Sequence, residues 1–253
     1  MIAAAEAARP RRLALGMIDL IDLLLRDRRA MLARLRDTSD VTAVLRAMIA
    51  TIAVTMAIVG AALGSYRGGV QIAYAAIKLP VVLLGTAALS APALSAIGAA
   101  LGRRSRLAAD LALVMAALAF GSLLLVACTP LIMLARAVDL DYHRTILAVV
   151  AMFAVAGGAA LHMICRGVAL EAAAGCRTAA TGWRTAVAGM CLVFALVGGQ
   201  LSWALRPYLV RPRAPEPMFV RPVEGSLFDA ITGAARSAQG IYDRDAAPLG
   251  DPP

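Results

Sequence analysis

The chain has 253 residues, 61% of them hydrophobic and only 16% charged, with a mean hydropathy of +0.77. A soluble domain of this length needs more polar surface than that, so the composition excludes an ordinary soluble globular protein and points to the membrane. The net charge of +9, from 25 Lys and Arg against 16 Asp and Glu, is a matter of membrane topology before nucleic acid, and no nucleic-acid partner is expected.

The expected fold is an all-α integral membrane protein with about five transmembrane helices and an N-terminal amphipathic helix. Residues 1–40 form the cytoplasmic part. Within it, 11–37 read as an amphipathic helix in which Asp19, Asp22, Arg26 and Arg29 share one face and Ile18, Ile21, Leu25, Leu32 and Leu35 line the other. Asp22 and Arg26 stand in the favourable i,i+4 order. Asp19 and Asp22 interrupt the apolar core that a signal peptide would need, so the helix is expected on the membrane surface or against a partner.

Ser39 or Asp40 then offers an N-cap, and the first span covers about 43–63. "GSYRGG" is a turn. The next apolar stretch, 70–101, would reach roughly 48 Å as one straight helix against a hydrocarbon core of about 30 Å. Pro80 and Pro92 each remove a backbone donor and are natural break points. The stretch therefore divides into a short surface helix at 70–79, with Gln71, Tyr74 and Lys78 on one side, and a second span at 80–101. A re-entrant hairpin over 70–101, giving four spans, is the alternative. The third span covers 107–134 with Pro130 near its end, the fourth 145–165 and the fifth 185–205. The transmembrane domain as a whole is 41–208. A tail, 209–253, is rich in proline; "RPRAPEP" should be extended and "EGSLFDAITGAARSAQ" a short amphipathic helix.

Arginines set the expected orientation. The N-terminal region and the connections after spans two and four hold fourteen, while the connections on the opposite side offer Arg67, Arg136 and Arg144. The bias places the N-terminus in the cytoplasm and the tail outside, with the bilayer as first partner and other membrane subunits, or a second copy, as the next. It also gives a reason for the end of span five. Trp203 and Tyr208 suit an outer interface, Arg206 would snorkel to headgroups or reach backbone carbonyls of 70–79, and Pro207 ends the helix. Gln200, between Gly199 and Leu201, needs a neighbouring helix to satisfy its amide, and Gly198 and Gly199 permit the approach. Lys78, Pro80, Gln200 and Arg206 are expected to form one outer cluster.

Candidate chemistry is sparse. Lys78 before Pro80 would suit a broken helix lining a transport path, or simply a lysine snorkelling to the surface. His162 lacks a second histidine on its side of the membrane, since His143 is expected on the other, which argues against a haem pair. Asp110 stands four residues after Arg106 and would pair with it. The cysteines, Cys128, Cys165, Cys176 and Cys191, form no CxxC pair, and no metal or cofactor is expected. No GxSxG, HExxH or phosphate-binding glycine loop is present, and "GAALG" and "AVAGGAA" read as helix-packing residues. The chain is therefore expected to be no enzyme. Its expected role is a scaffold, anchor or subunit of a membrane assembly, with a small transporter or channel using the region of Lys78 and Pro80 as the competing class.

"KLP" at 78–80, the further Pro92, "GGQLSWALRP" at 198–207 and the following "PEPMFVRPVEGSLFDAI" resemble a group of uncharacterised bacterial polytopic membrane proteins that share a KLP element and a terminal GxQxxWxLRP. The resemblance covers about 70–101 and 197–231 and implies a bacterial inner-membrane location without an activity. The five-span count resembles the Yip-type membrane proteins in architecture only.

Overall fold

The computed structural model describes residues 16–27, 30–31, 41–100, 107–138, 142–173, 183–210 and 218–220. Among these, every regular element is a helix: α1 (Met17–Arg26), α2 (Val41–Gly64), α3 (Gln71–Ala100), α4 (Leu107–Ala127), α5 (Thr129–Ala137), α6 (Tyr142–Ala173) and α7 (Trp183–Ala204). Five stretches are long and apolar enough to cross a membrane: Val41–Gly64, Gln71–Ile97, Asp110–Ala137, Arg144–Ala169 and Val187–Ala204. That number matches the sequence expectation. The expected N-cap at Ser39 or Asp40 and the expected tail helix lie outside the described residues.

In α1 the Asp19 carboxylate accepts the Gly16 amide at 3.2 Å, and Asp22 pairs with Arg26 at 2.7 Å on the exposed side. The helix packs on α2 and α4. Its buried row is Leu20 and Leu24, continued by Met31, while Ile18 is 78% exposed. This corrects the expected apolar face in part. At about 100° per residue, Leu24 lies opposite Asp19, Asp22 and Arg26 with Leu20 and Ile21 on either side of it, and Ile21 packs partly buried against the core as expected, whereas Ile18 and Leu25 flank the charged row.

The turn after α2 uses Gly68 and Gly69 at φ 87° and 60°, the left-handed region where a side chain would be strained. It returns the chain directly along α2. A Cβ on Gly60 would meet the Ala75 carbonyl oxygen, and one on Gly64 the Gln71 carbonyl oxygen. The "GAALG" glycines thus bring the two backbones into contact.

That contact also corrects the division at Pro80. The chain forms one helix through Pro80 and Pro92, with neither a break at 79 nor a re-entrant hairpin. Each proline deprives a single carbonyl, that of residue 76 or 88, of its helical donor. The segment before Pro80 is held against Gly60 and Gly64, which leaves it no freedom to turn out along the surface. Gln71 and Lys78 therefore belong to the second candidate span.

The third span is in turn two helices. Pro130 falls at the start of α5, where its missing N–H is no loss, and the Cys128 amide is shared between the carbonyls of Leu124 and Leu125. α4 is central, with Ala112 to Ala117 nearly all buried. Against α2 it places the Thr55 and Ser122 hydroxyls 2.9 Å apart, the remaining proton going to the carbonyl of Thr51 or Ala119. The spans are unequally covered. The α2 window is 61% buried and that of α4 with α5 67%, but those of α6 and α7 are 11% each, so the last two spans present most of their apolar surface outward.

Candidate functional site

Gln71, Tyr74 and Lys78 recur at three and four residues and so share one face of α3. Across from them α7 ends at Ala204, and the chain passes through a cis Arg206–Pro207 peptide into an irregular segment. Carbonyls in such a segment have no helical donors, and burial without partners would be costly. The α3 face supplies the donors. Gln71 Nε2 donates to the Pro207 carbonyl at 3.2 Å and the Tyr208 carbonyl at 3.1 Å, and Lys78 Nζ donates to the same Pro207 oxygen at 3.2 Å.

Phe219 covers this group. Its ring meets Tyr74 edge-on with centroids 5.0 Å apart, and Lys78 Nζ lies 5.1 Å from its centre. Lys78 is the only lysine of the chain. It is 1% exposed and Gln71 0%, which corrects the snorkelling reading: the ammonium is enclosed by protein. Its charge faces a carbonyl dipole and an aromatic ring. Gln71 Oε1 is buried with no hydrogen-bond partner among the described residues.

The segment also holds itself. The Tyr208 hydroxyl donates to the Ser202 carbonyl at 3.0 Å, and burial pushes its phenol pKa up, against a smaller opposing effect of Ser202. The Arg206 guanidinium stacks 3.4 Å over the Trp203 ring. Here the expected direction of contact is reversed. Arg206 does not supply donors to α3; α3 side chains supply donors to the residues that follow Arg206.

The remaining sequence candidates lie around this group or away from it. Pro80 follows Lys78 by two residues, and Pro92 stands three turns further on, its carbonyl accepting from Ser95 Oγ at 2.8 Å. Gln200 is half-buried and makes no side-chain hydrogen bond among the described residues. Neighbouring Gly198 faces Thr86, and Gly85 faces Leu201, so the close approach of α7 to α3 is present without the amide contact. Asp110 is buried, and Arg106, its expected partner, lies outside the described residues. His162 is exposed, and Cys128, Cys165 and Cys191 are free thiols. Among the described residues no group of His, Cys, Asp and Glu could hold a metal.

Phe219 was not singled out by the sequence. It lies on a proline-flanked segment without periodicity, and nothing local links it to a lysine on α3.

The arrangement can fix where the chain leaves α7. The Gln71 Nε2 and Lys78 Nζ donors are bound to the chain's own backbone carbonyls, whereas Gln71 Oε1 is not. The chain matches no protein-family profile, no curated protein and no solved structure.

Proposed function

We propose that the chain is a non-enzymatic scaffold or anchor subunit of a membrane protein assembly. In this reading it lies in the bacterial inner membrane with its N-terminus in the cytoplasm and its tail outside, as the arginine bias and the resemblance at 70–101 and 197–231 imply. The observation that carries the proposal is the occupied state of Gln71 and Lys78. Both are enclosed and donate to carbonyls of the chain's own 207–208 segment, which serves to hold a tail rather than to pass a solute. The low coverage of α6 and α7 supports partners in the membrane plane, and the exposed Ile18 and Leu25 of α1 support one more contact at the surface.

The test is affinity purification in mild detergent from the native membrane. A stoichiometric integral membrane partner is the expected result. A lone monomer whose reconstituted vesicles show solute flux, lost in Lys78→Met, would replace the proposal with a transporter. That second reading has its own support: Lys78 has no carboxylate partner among the described residues, and Gln71 Oε1 is unpaired. Reporter fusions at Asp37, Arg104 and Gly175 should read cytoplasmic, and those at Gly68, Asp139 and Pro217 external; an external signal at Arg104 would overturn the orientation.

A further inference from the structure

Tyr74, Ile77 and Val81 recur at three and four residues and share a face of α3. Ile77 and Val81 are exposed, and so belong to the outward side of the second candidate span. Phe219 continues this apolar row, because its ring packs edge-on against Tyr74. On either side of Phe219, Met218 is 70% exposed and Val220 is exposed as well. The short stretch after α7 therefore turns apolar side chains outward beside an apolar helix face.

Its depth follows from α3. The candidate span Gln71–Ile97 has 27 residues and reaches roughly 40 Å, the thickness of a bilayer with its headgroup regions. Gln71 thus starts at headgroup level. Tyr74 and Lys78, which Phe219 touches, follow it by three and seven residues, so the ring lies roughly 5–10 Å along the helix from there. That is the boundary between headgroups and acyl chains, where the apolar side chains of surface-lying segments insert. The backbone sets the same limit. Residues 218–220 are irregular, and Pro217 and Pro222 bracket them in the sequence, so their amides need water and cannot sink into hydrocarbon. The stretch is also too small for a protein partner. Three outward side chains offer little of the about 800 Å² per side that a protein interface buries, whereas lipid sets no such minimum.

We propose that Met218–Val220 is a lipid-contacting anchor. After α7 the chain folds back over α3 and sets Met218 and Val220 among the acyl chains of the leaflet at the start of α3, with Phe219 closed over Lys78. Lipid then helps to shield the chain's single lysine from water. The anchor rests on the membrane-spanning reading but not on the scaffold role.

The experiment is paramagnetic broadening of ¹³C-methyl methionine signals of the full chain in lipid nanodiscs, the Met218 signal being identified by its loss in Met218→Leu. A lipid carrying a nitroxide near the carbonyl end of its acyl chain should broaden Met218 more than a water-soluble gadolinium chelate does. Met133, exposed on α5 within the third candidate span, is the reference for lipid contact. A Met218 signal untouched by the lipid label while Met133 is broadened would overturn the anchor and leave the membrane reading standing. So would a Met218 signal broadened more by the chelate, or one shielded from both that shifts on dilution, which would make the occupant a second copy. The shielding of Lys78 has its own readout, acylation by a water-soluble amine reagent followed by mass spectrometry of the Lys78 peptide. Met218→Asp combined with Val220→Asp should quicken it at least about tenfold, because two carboxylates at this level draw the stretch out of the lipid. An unchanged rate in that folded variant would contradict the proposal, and if the variant misfolds the wild-type broadening decides alone.

Discussion

Replacing Gly60 with alanine should destabilise the protein, although alanine is the better helix former. A Cβ at Gly60 would lie 2.6 Å from the Ala75 carbonyl carbon and 2.8 Å from the Ala76 Cα. Carbon atoms rest at about 3.5–4.0 Å, so α2 and α3 must part by roughly 1 Å. The opposing atoms are helix backbone, so no side chain can rotate away. Overpacking costs about 1–3 kcal/mol, and the rigid surface places this case at the upper end. Alanine returns about 0.8–1 kcal/mol of helix propensity, leaving a net loss of about 2 kcal/mol. Gly157 is the matched control. Nothing lies within 4 Å of its added Cβ, so Gly157→Ala should be neutral or gain up to about 1 kcal/mol. Thermal unfolding in one detergent should show Gly60→Ala lowered by roughly 4–8 °C and Gly157→Ala unchanged or raised. If Gly60→Ala matches or exceeds the wild type, the backbones do not touch and the account of why α3 runs unbroken past Pro80 fails.

Gln71→Leu removes two hydrogen bonds, each worth roughly 0.6–2 kcal/mol, but also an unpaired buried oxygen whose cost is about 1–3 kcal/mol. Global stability should therefore change little, whereas amide exchange at Leu209 and Val210 should quicken by about tenfold, equivalent to about 1.4 kcal/mol of lost closure; unchanged exchange would show that Gln71 does not hold the segment. Tyr208 should give a stability that depends on alkaline pH. Its phenol pKa is raised in the fold above the unfolded value of about 10, so this contribution is fully present below that pH and is lost as pH rises through the folded pKa. Urea denaturation between neutral and strongly alkaline pH should show the loss in the wild type and a smaller one in Tyr208→Phe, and equal slopes would rule it out.

Hydropathy alone sufficed for the five candidate spans, and α2 and α7 lie within two residues of their expected ends, because a run of Ala, Leu and Val with a single charge near one end has few other homes. The packing role of "GAALG" was equally local, since small residues four apart on one helix face have few other uses. Pro80 shows where local reasoning stops. Its missing donor is a property of one residue, but whether the helix bends depends on what holds the preceding turns, and here that is Gly60 and Gly64 of another helix. Gln71 and Lys78 show the same limit at longer range. Counting arginines puts both motifs at one end of the bundle, yet contacts spanning 129 to 137 residues carry no periodicity. Which partner donates, and that Phe219 closes the group, follows only from the packed chain. The α1 face was within reach: a count of angles from Asp19 and Asp22 puts Leu24 opposite them, with Leu20 and Ile21 on either side.

The most direct test of the clamp uses the chain's single lysine. Lysine labelled with ¹⁵N at Nζ places one side-chain label, at Lys78, and proline labelled with ¹³C at the carbonyl supplies the partner in proteoliposomes. With Nζ 3.2 Å from the Pro207 oxygen and a C=O bond of about 1.23 Å, solid-state dipolar recoupling should report a nitrogen–carbon distance of about 4 Å. The signal should disappear in Pro207→Ala, which removes that label and leaves Pro80 in place. No dipolar coupling in the wild type, or one that persists unchanged in Pro207→Ala, would mean that Lys78 does not hold the segment after α7.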